Sequence, residues 1–196
     1  MATSRSSKIV PIRKHERLRA RNDGSLRLAV IADTHSALHP NALSVLAALR
    51  PDVILHAGDI GELRVLDALS TVSPVLAVRG NIDSRMPGLA DTIVVDVETA
   101  ERLLLRLVLV HYGVYGPKLR ADAARLARAE NASLVVCGHS HVPFIGTDRG
   151  LAIFNPGSAG PRRFNLPIVL GSIEVSATQF QLRHFDCISK QPWEPP

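Results

Sequence analysis

The chain has only two cysteines, Cys137 and Cys187, among 196 residues, too few for a disulfide framework. Without a secretory signal they read as reduced core thiols, and they offer no thiolate pair to a soft metal. No uninterrupted apolar run approaches the roughly 18 residues that span a bilayer, and the N-terminus lacks the apolar core of a signal peptide. A membrane partner is therefore not expected, and the expected location is cytoplasmic. Internal repeats are absent, as is any Ser, Cys or His nucleophile with an evident positioned base, so a covalent intermediate is not expected.

Excess charge is confined to one segment. Within residues 1–25, Arg5, Lys8, Arg13, Lys14, Arg17, Arg19 and Arg21 stand against Glu16 and Asp23, which accounts for the whole net charge of +5. From residue 26 onward 16 basic residues balance 16 acidic ones. A neutral body supplies no basic groove, so nucleic acid is not an expected partner. Residues 1–25 read as a flexible basic extension, and a single domain is expected over residues 26–190. Its apolar content, 46% for the whole chain, is enough to bury one core.

What the sequence does contain is a recurring pairing of apolar runs with metal-binding residues. LRLAVIA leads into Asp33-Thr34-His35, DVILHA into Gly58-Asp59, and SPVLAV into Gly80-Asn81-Ile82-Asp83. LLLRLVLV leads into His111, and SLVVC into Gly138-His139-Ser140-His141. Runs this continuous in Val, Ile and Leu are strands covered on both faces, and open α/β sheets collect ligands beyond the carboxyl ends of such strands. Alone, Gly58-Asp59 and Gly80-Asn81 are ordinary turns and His111 a core histidine. In one chain, at intervals of 26, 22, 30 and 28 residues from Asp33 to His139, they point to one site.

Carboxylate, imidazole and amide oxygen together suit borderline to hard divalent cations. The seven candidate ligands Asp33, His35, Asp59, Asn81, His111, His139 and His141 exceed the four that one tetrahedral zinc takes. Two ions fit better than one, and a carboxylate such as Asp59 can bridge ions about 3.5 to 4 Å apart. A turn after Gly138 lets His139 and His141 diverge toward different ions.

The motifs Asp33-x-His35, Gly58-Asp59, Gly80-Asn81-x-Asp83, His111 and Gly138-His139-x-His141 resemble, in order and spacing, the calcineurin-like metallophosphoesterase superfamily. HAGDI at 56–60, the GNxD form at 80–83 and Asn155-Pro156-Gly157-Ser158 resemble more narrowly its small single-domain bacterial and archaeal phosphodiesterases, relatives of the vacuolar sorting protein 29 scaffold. The resemblance implies an α/β fold, a four-layer αββα sandwich of two mixed β-sheets flanked by helices. It implies Asp33, His35, Asp59 and His141 on one metal and Asp59, Asn81, His111 and His139 on the other, with Asp59 as the bridge. The implied activity is that of a metal-dependent phosphoesterase, in first place a phosphodiesterase, in which a hydroxide bridging two divalent metals attacks phosphorus. Asp59, Asn81 and His111 form its catalytic centre. Manganese is the favoured metal, with nickel, iron, zinc and magnesium compatible. A second reading is a protein-interaction scaffold of the same fold with little catalysis; the full ligand set favours the enzyme.

Two positions depart from the family pattern. Many members carry His after the Asn of GN, where this chain has Ile82, so protonation of the leaving group lacks its usual donor. The narrower family often has His-Gly-His where this chain has His111-Tyr112-Gly113. Asn81 and Arg162 are the expected contacts to a small phosphate-ester substrate, and Asn155-Pro156-Gly157-Ser158 reads either as a plain turn or as one whose backbone N–H groups, near Arg162 and Arg163, contact a phosphate. Self-association is compatible with the sequence. His56 reads as packed near the ligands, His39 as a rim residue, and His15 and His184 as solvated.

Between the motifs, helices are expected over 40–49 and 62–70, giving a βαβ rhythm, and a strand hairpin over 92–110. Pro117 is expected to open a further helix with Leu119, Ala123, Ala124, Leu126 and Ala127 on its apolar face. The short strand runs after His141 predict a second, mostly antiparallel sheet.

Overall fold

Successive residues of a strand face opposite ways, so an unbroken apolar run needs a cover on each side. A computed structural model, which describes residues 11–195 apart from 85 and 87, shows what supplies those covers. The chain starts with β1 (Arg13–Arg19) and β2 (Leu26–Ile31), then alternates α1 (Ala42–Leu49), β3 (Val53–His56), α2 (Leu63–Ser70) and β4 (Val75–Ala77). The antiparallel pair β5 (Thr92–Glu98) and β6 (Leu103–Val110) leads to a small hairpin of β7 (Val114–Tyr115) and β8 (Lys118–Leu119), then α3 (Ala121–Ala129) and β9 (Leu134–Val136). The remaining strands are β10 (Phe144–Asp148), β11 (Leu151–Asn155), β12 (Val169–Val175), β13 (Phe180–Asp186) and β14 (Pro192–Trp193).

Two six-stranded mixed sheets result, in the orders β1-β5-β6-β9-β11-β10 and β14-β13-β12-β2-β3-β4. Leu28, Val30 and Leu55 of one sheet meet Val95, Leu107, Val136 and Phe154 of the other in the central core. The alternate residues Ala29, Ile31 and Ile54 face outward onto Val45 and Leu46 of α1 and Val65 and Leu69 of α2. On the far side, Val94, Val108 and Val135 pack with Ala127 of α3. The fold is therefore the four-layer αββα sandwich. Among the described residues no helix is long and apolar enough to cross a membrane.

Three local expectations change. Residues 13–19 are not part of a flexible extension: β1 pairs in parallel with β5 from Arg13–Thr92 to Arg19–Glu98. Leu18 packs on the central core and Ala20 is buried. The basic side chains find partners in the body, Arg13 at Glu130 and His15 at Asp96, and along a sheet edge their charge discourages further strand pairing. Residues 1–10 of the expected extension lie outside the described residues. The strands after His141 do not form a sheet of their own. β10 and β11 extend the first sheet, through the parallel β11–β9 pair, and β12 to β14 extend the second through β2. Finally, α3 begins at Ala121, because the segment after Val114 folds back as the β7–β8 hairpin.

An ion pair ties the outer face of the first sheet. Asp96, buried on β5, accepts from Arg106 Nε at 2.6 Å and Nη2 at 2.7 Å on β6, and Arg106 also donates to the Glu130 carbonyl at 2.9 Å. The Arg106 hydrogen bonds hold the Asp96 carboxyl below its ordinary range. A depressed carboxylate contributes stability above its unfolded pKa, near 3.9, and loses it as pH falls through the folded value. Asp96→Asn is expected to cost roughly 1 to 3 kcal/mol at neutral pH. Thermal unfolding followed from pH 7 down to pH 3 should show a shallower acid loss in the variant than in the parent.

Candidate metal centre

The site forms where strand ends from both sheets meet. Asp33 and His35 follow β2, Asp59 follows β3, Asn81 follows β4, His111 follows β6, and His139 and His141 follow β9. The structure brings all seven together as two groups sharing a border, Asp33 with His35 and His141, and Asp59 with His111 and His139. Asn81 joins the second group, its Oδ1 lying 3.0 Å from His111 Nε2 and 3.3 Å from His139 Nδ1. Asp59 faces both groups: Oδ1 is 3.3 Å from His111 Nε2, and Oδ2 is 3.7 Å from His35 Nε2.

The backbone is bent to make this possible. Asp33, His35, Asp59, His139 and His141 all have φ between 45° and 71°, the left-handed region that residues with a Cβ avoid. Such conformations cost about 1 to 3 kcal/mol each and persist only where the surroundings impose them. They turn side chains from successive loops inward, and His139 and His141 thereby diverge to different groups. Glycine is required where the loops touch: a Cβ at Gly80 would overlap the Asp59 backbone nitrogen and Oδ1, and one at Gly58 would lie 2.7 Å from His111 Nδ1.

The donor set fits divalent cations on chemical grounds. His111 Nδ1–H donates to the Ala57 carbonyl at 2.8 Å, which leaves Nε2 as a bare lone pair aimed at the oxygens of Asn81 and Asp59. Lone pairs facing one another repel unless a cation or a proton lies between them. Asn81 can supply donors by turning its amide nitrogen inward, toward Asp59, His111 and His139 at 3.0 to 3.3 Å. With its oxygen inward the same space suits a cation. In the first group His141 Nδ1 is buried without a hydrogen-bond partner among the described residues.

Electrostatics agree with this geometry. Burial, followed by the charge of Asp59, pushes the Asp33 carboxyl up to about 8, the behaviour of an acid enclosed with another acid. Burial likewise lowers His141 to about 4, with His35 and Arg163 adding to the effect, and lowers His35 and His111. His35, His111 and His141 are thus neutral at physiological pH, the form that ligates metals.

Several residues outside the candidate ligand set hold the loops in place. Asp83 is fully buried and accepts from the backbone nitrogens of Gly80 at 2.8 Å, Gly61 at 2.9 Å and Ile60 at 3.1 Å, tying the loop after β4 to the loop after β3. Its place in the GNxD motif was the available signal. The Thr34 hydroxyl donates to the Ile60 carbonyl at 3.1 Å and lies 3.0 Å from His56 Nε2, so that nitrogen is the donor; His56 Nδ1 accepts from Gly58 N–H at 3.2 Å. Burial lowers His56 to about 3, and it acts as a neutral brace.

The turn at Asn155–Ser158 does not offer N–H groups to a phosphate. Its residues are buried and occupied: Asn155 Nδ2 donates to the Gly138 carbonyl at 2.9 Å, the Ser158 hydroxyl to the Asp33 carbonyl at 2.9 Å, and Gly157 N–H to Asn155 Oδ1 at 3.0 Å. His184, expected in solvent, is buried beneath this turn with Nε2 2.8 Å from the Asn155 carbonyl. The cleft over the metal groups is lined by Ile82, Arg163, Phe164 and Leu166. Arg163, not Arg162, faces it, with Nη2 3.2 Å from His35 Nδ1. Tyr112, in place of the family's second motif histidine, donates to Asn81 Oδ1 at 3.1 Å and packs on His139.

These residues place the chain in a family. It belongs to the calcineurin-like phosphoesterase superfamily, whose domain model matches residues 26–178. A probable metallophosphoesterase of Methanothermobacter thermautotrophicus is 32% identical over 152 residues, covering 73% of this chain and 83% of its own length. The structure is also similar to Vps29 of Entamoeba histolytica in complex with zinc, with a TM-score of 0.70, 22% identity and coverage of 86% of this chain and 96% of that one. YfcE, a phosphoesterase from E. coli, aligns with a TM-score of 0.61 at 21% identity over 86% and 97% of the two chains. Family membership makes metal-dependent hydrolysis of phosphate esters the chemistry of this fold.

If Asp83 sets the ligand loops, Asp83→Asn should weaken divalent-metal binding by about 10- to 100-fold, the usual effect of losing a residue that orients ligands. Metal titration followed by calorimetry, with circular dichroism to show a retained fold, checks this outcome.

Proposed function

We propose that the protein is a phosphodiesterase using two divalent ions, one held by Asp33, His35, Asp59 and His141 and the other by Asp59, Asn81, His111 and His139. The observation that carries this reading is the position of Asp59, with one carboxylate oxygen toward each group. When bound, such a pair of ions neutralises the ester and lowers the pKa of water toward about 7, so a nucleophile exists at neutral pH; manganese is favoured, and nickel, iron, zinc and magnesium are compatible.

The chain's own residues shape what can react. Ile82 N–H donates to Asp59 Oδ1 at 3.2 Å and fixes the bridging carboxylate. Arg163 is the Lys or Arg lining the cleft among the described residues, beside the apolar walls of Ile82, Phe164 and Leu166. One cation and apolar walls suit the single charge of a diester better than the double charge of a monoester, and Arg163 takes the substrate-contact role first given to Arg162. The ligand set, complete in all seven residues, supports the enzyme over a scaffold of the same fold.

Asp59→Asn should reduce turnover to the background of free metal and lose bound ions from both groups, checked by elemental analysis of manganese-reconstituted protein. Loss of turnover with both ions retained would contradict the bridging role.

Ile82 lines the cleft and has no proton to give, while His56 is sealed behind the loops. The leaving group then departs without general acid help, which is commonly worth 10² to 10⁴-fold. Rates on p-nitrophenyl diesters should exceed those on alkyl diesters of similar size, with a steep dependence on leaving-group pKa. Ile82→His should flatten that dependence, measured as kcat/KM across a series of substituted aryl esters.

A further inference from the structure

The loop after His111 continues into the β7–β8 hairpin, which lies beside the His139–Ser140 segment of the metal cleft. Gly113 lets the hairpin sit directly on β9's end: a Cβ there would overlap Cys137 Cβ and lie 2.7 Å from its Sγ. Arg120 N–H donates to the Gly113 carbonyl at 2.9 Å and closes the base of the hairpin, and Leu119 N–H donates to Asp148 Oδ2 at 3.1 Å and anchors that base to β10. Between it and the segment after His141 lies a groove of about 480 Å³, walled by Val114, Tyr115, Pro117, Val142 and Phe144. His139 and Ser140 complete its lining, and the same two residues line the metal cleft. The groove and the metal cleft are therefore neighbours that share a wall.

We propose that this groove is a subsite for one organic arm of the phosphodiester, and that the arm it takes is an uncharged aromatic ring. This rests on the phosphodiesterase reading and names the substrate class. Among the described residues no Lys, Arg, Asp or Glu lines the groove, so a second phosphate or a carboxylate would be desolvated there without a partner. Its volume falls in the range of small-ligand sites. Tyr115 and Val142, 86% and 45% exposed, present apolar surface that a ring would cover, and Tyr115 and Phe144 provide aromatic faces for it. The ends of the cleft differ in charge as well, cationic at Arg163 and uncharged at the groove. Arg163 contacts His35, in the group with Asp33, whereas the groove joins at His139, in the group with Asp59. A diester across the two groups can thus direct an anionic oxygen to Arg163 and one arm into the groove.

The test separates subsite from activity. On manganese-reconstituted protein, phenyl p-nitrophenyl phosphate should show a kcat/KM roughly ten- to a hundredfold above that of methyl p-nitrophenyl phosphate, the range one hydrophobic contact discriminates. Independently of turnover, calorimetry should show phenyl methylphosphonate binding about tenfold or more tightly than methyl methylphosphonate. Tyr115→Asp and Val142→Asp should each remove most of both preferences while manganese content stays that of the parent. Turnover with equal handling of methyl and phenyl arms would overturn the subsite and leave the phosphodiesterase standing. A binding preference without turnover would keep the subsite and overturn the enzyme reading. A concentration-dependent dimer in sedimentation that Tyr115→Asp dissociates, with no arm preference, would assign the groove to a second copy of the chain and overturn the proposal.

Discussion

The structure is organised around a concentration of lone pairs. Asp33 and Asp59, both buried, share one small space with four imidazoles and the Asn81 side chain, and the inward-facing atoms of His111 and Asp59 are acceptors. Carboxylates enclosed in this way resist ionisation, which is why Asp33 is driven far above its ordinary range. Divalent cations remove that penalty. The arrangement thus stores a demand for positive charge, and the surrounding fold keeps the ligands from relaxing away from it.

That restraint is built from backbone and brace together. Five of the candidate ligands sit in left-handed backbone, a conformation that local propensity disfavours. Asp83, Thr34, His56, Asn155 and Ser158 counter it with hydrogen bonds that cross between loops, and each is buried, where such bonds are costly to leave unmade. The family's second histidine and its phosphate-facing histidine are replaced by Tyr112 and Ile82, but the braces do not depend on either. The chemistry of the cleft can therefore change while the ligand loops stay put.

Around the centre the surface is divided by polarity. Arg163 and the partly exposed Ile82 face the cleft from one side, while the β7–β8 hairpin sets an uncharged wall at His139. Four of the basic residues behind the net charge, Arg13, Lys14, Arg17 and Arg19, lie on β1 at an edge of the first sheet, where Arg13 and His15 are engaged with Glu130 and Asp96. Basicity here serves an edge strand and its ion pairs.

The sequence by itself determined the strands that carry the site, because runs such as LRLAVIA and LLLRLVLV are too continuous for anything but burial on both faces, and it marked the seven candidate ligands that the fold brings together, because their types and order point to one chemistry. Helices α1 and α2 were legible from periodicity within a few residues of their ends. Only the tertiary structure decided that Arg13–Arg19 is a strand, since its apolar content is low and its stability comes from a β5 edge some eighty residues away. The same holds for the division of β10 to β14 between two sheets, which local pattern cannot encode because any of those strands could pair with several edges. The choice of Arg163 over its neighbour and the burial of His184 and of the turn at Asn155 were settled likewise by long-range packing. Composition and spacing fix which groups must be neutralised or buried; which side chain reaches them depends on contacts between segments far apart in the chain.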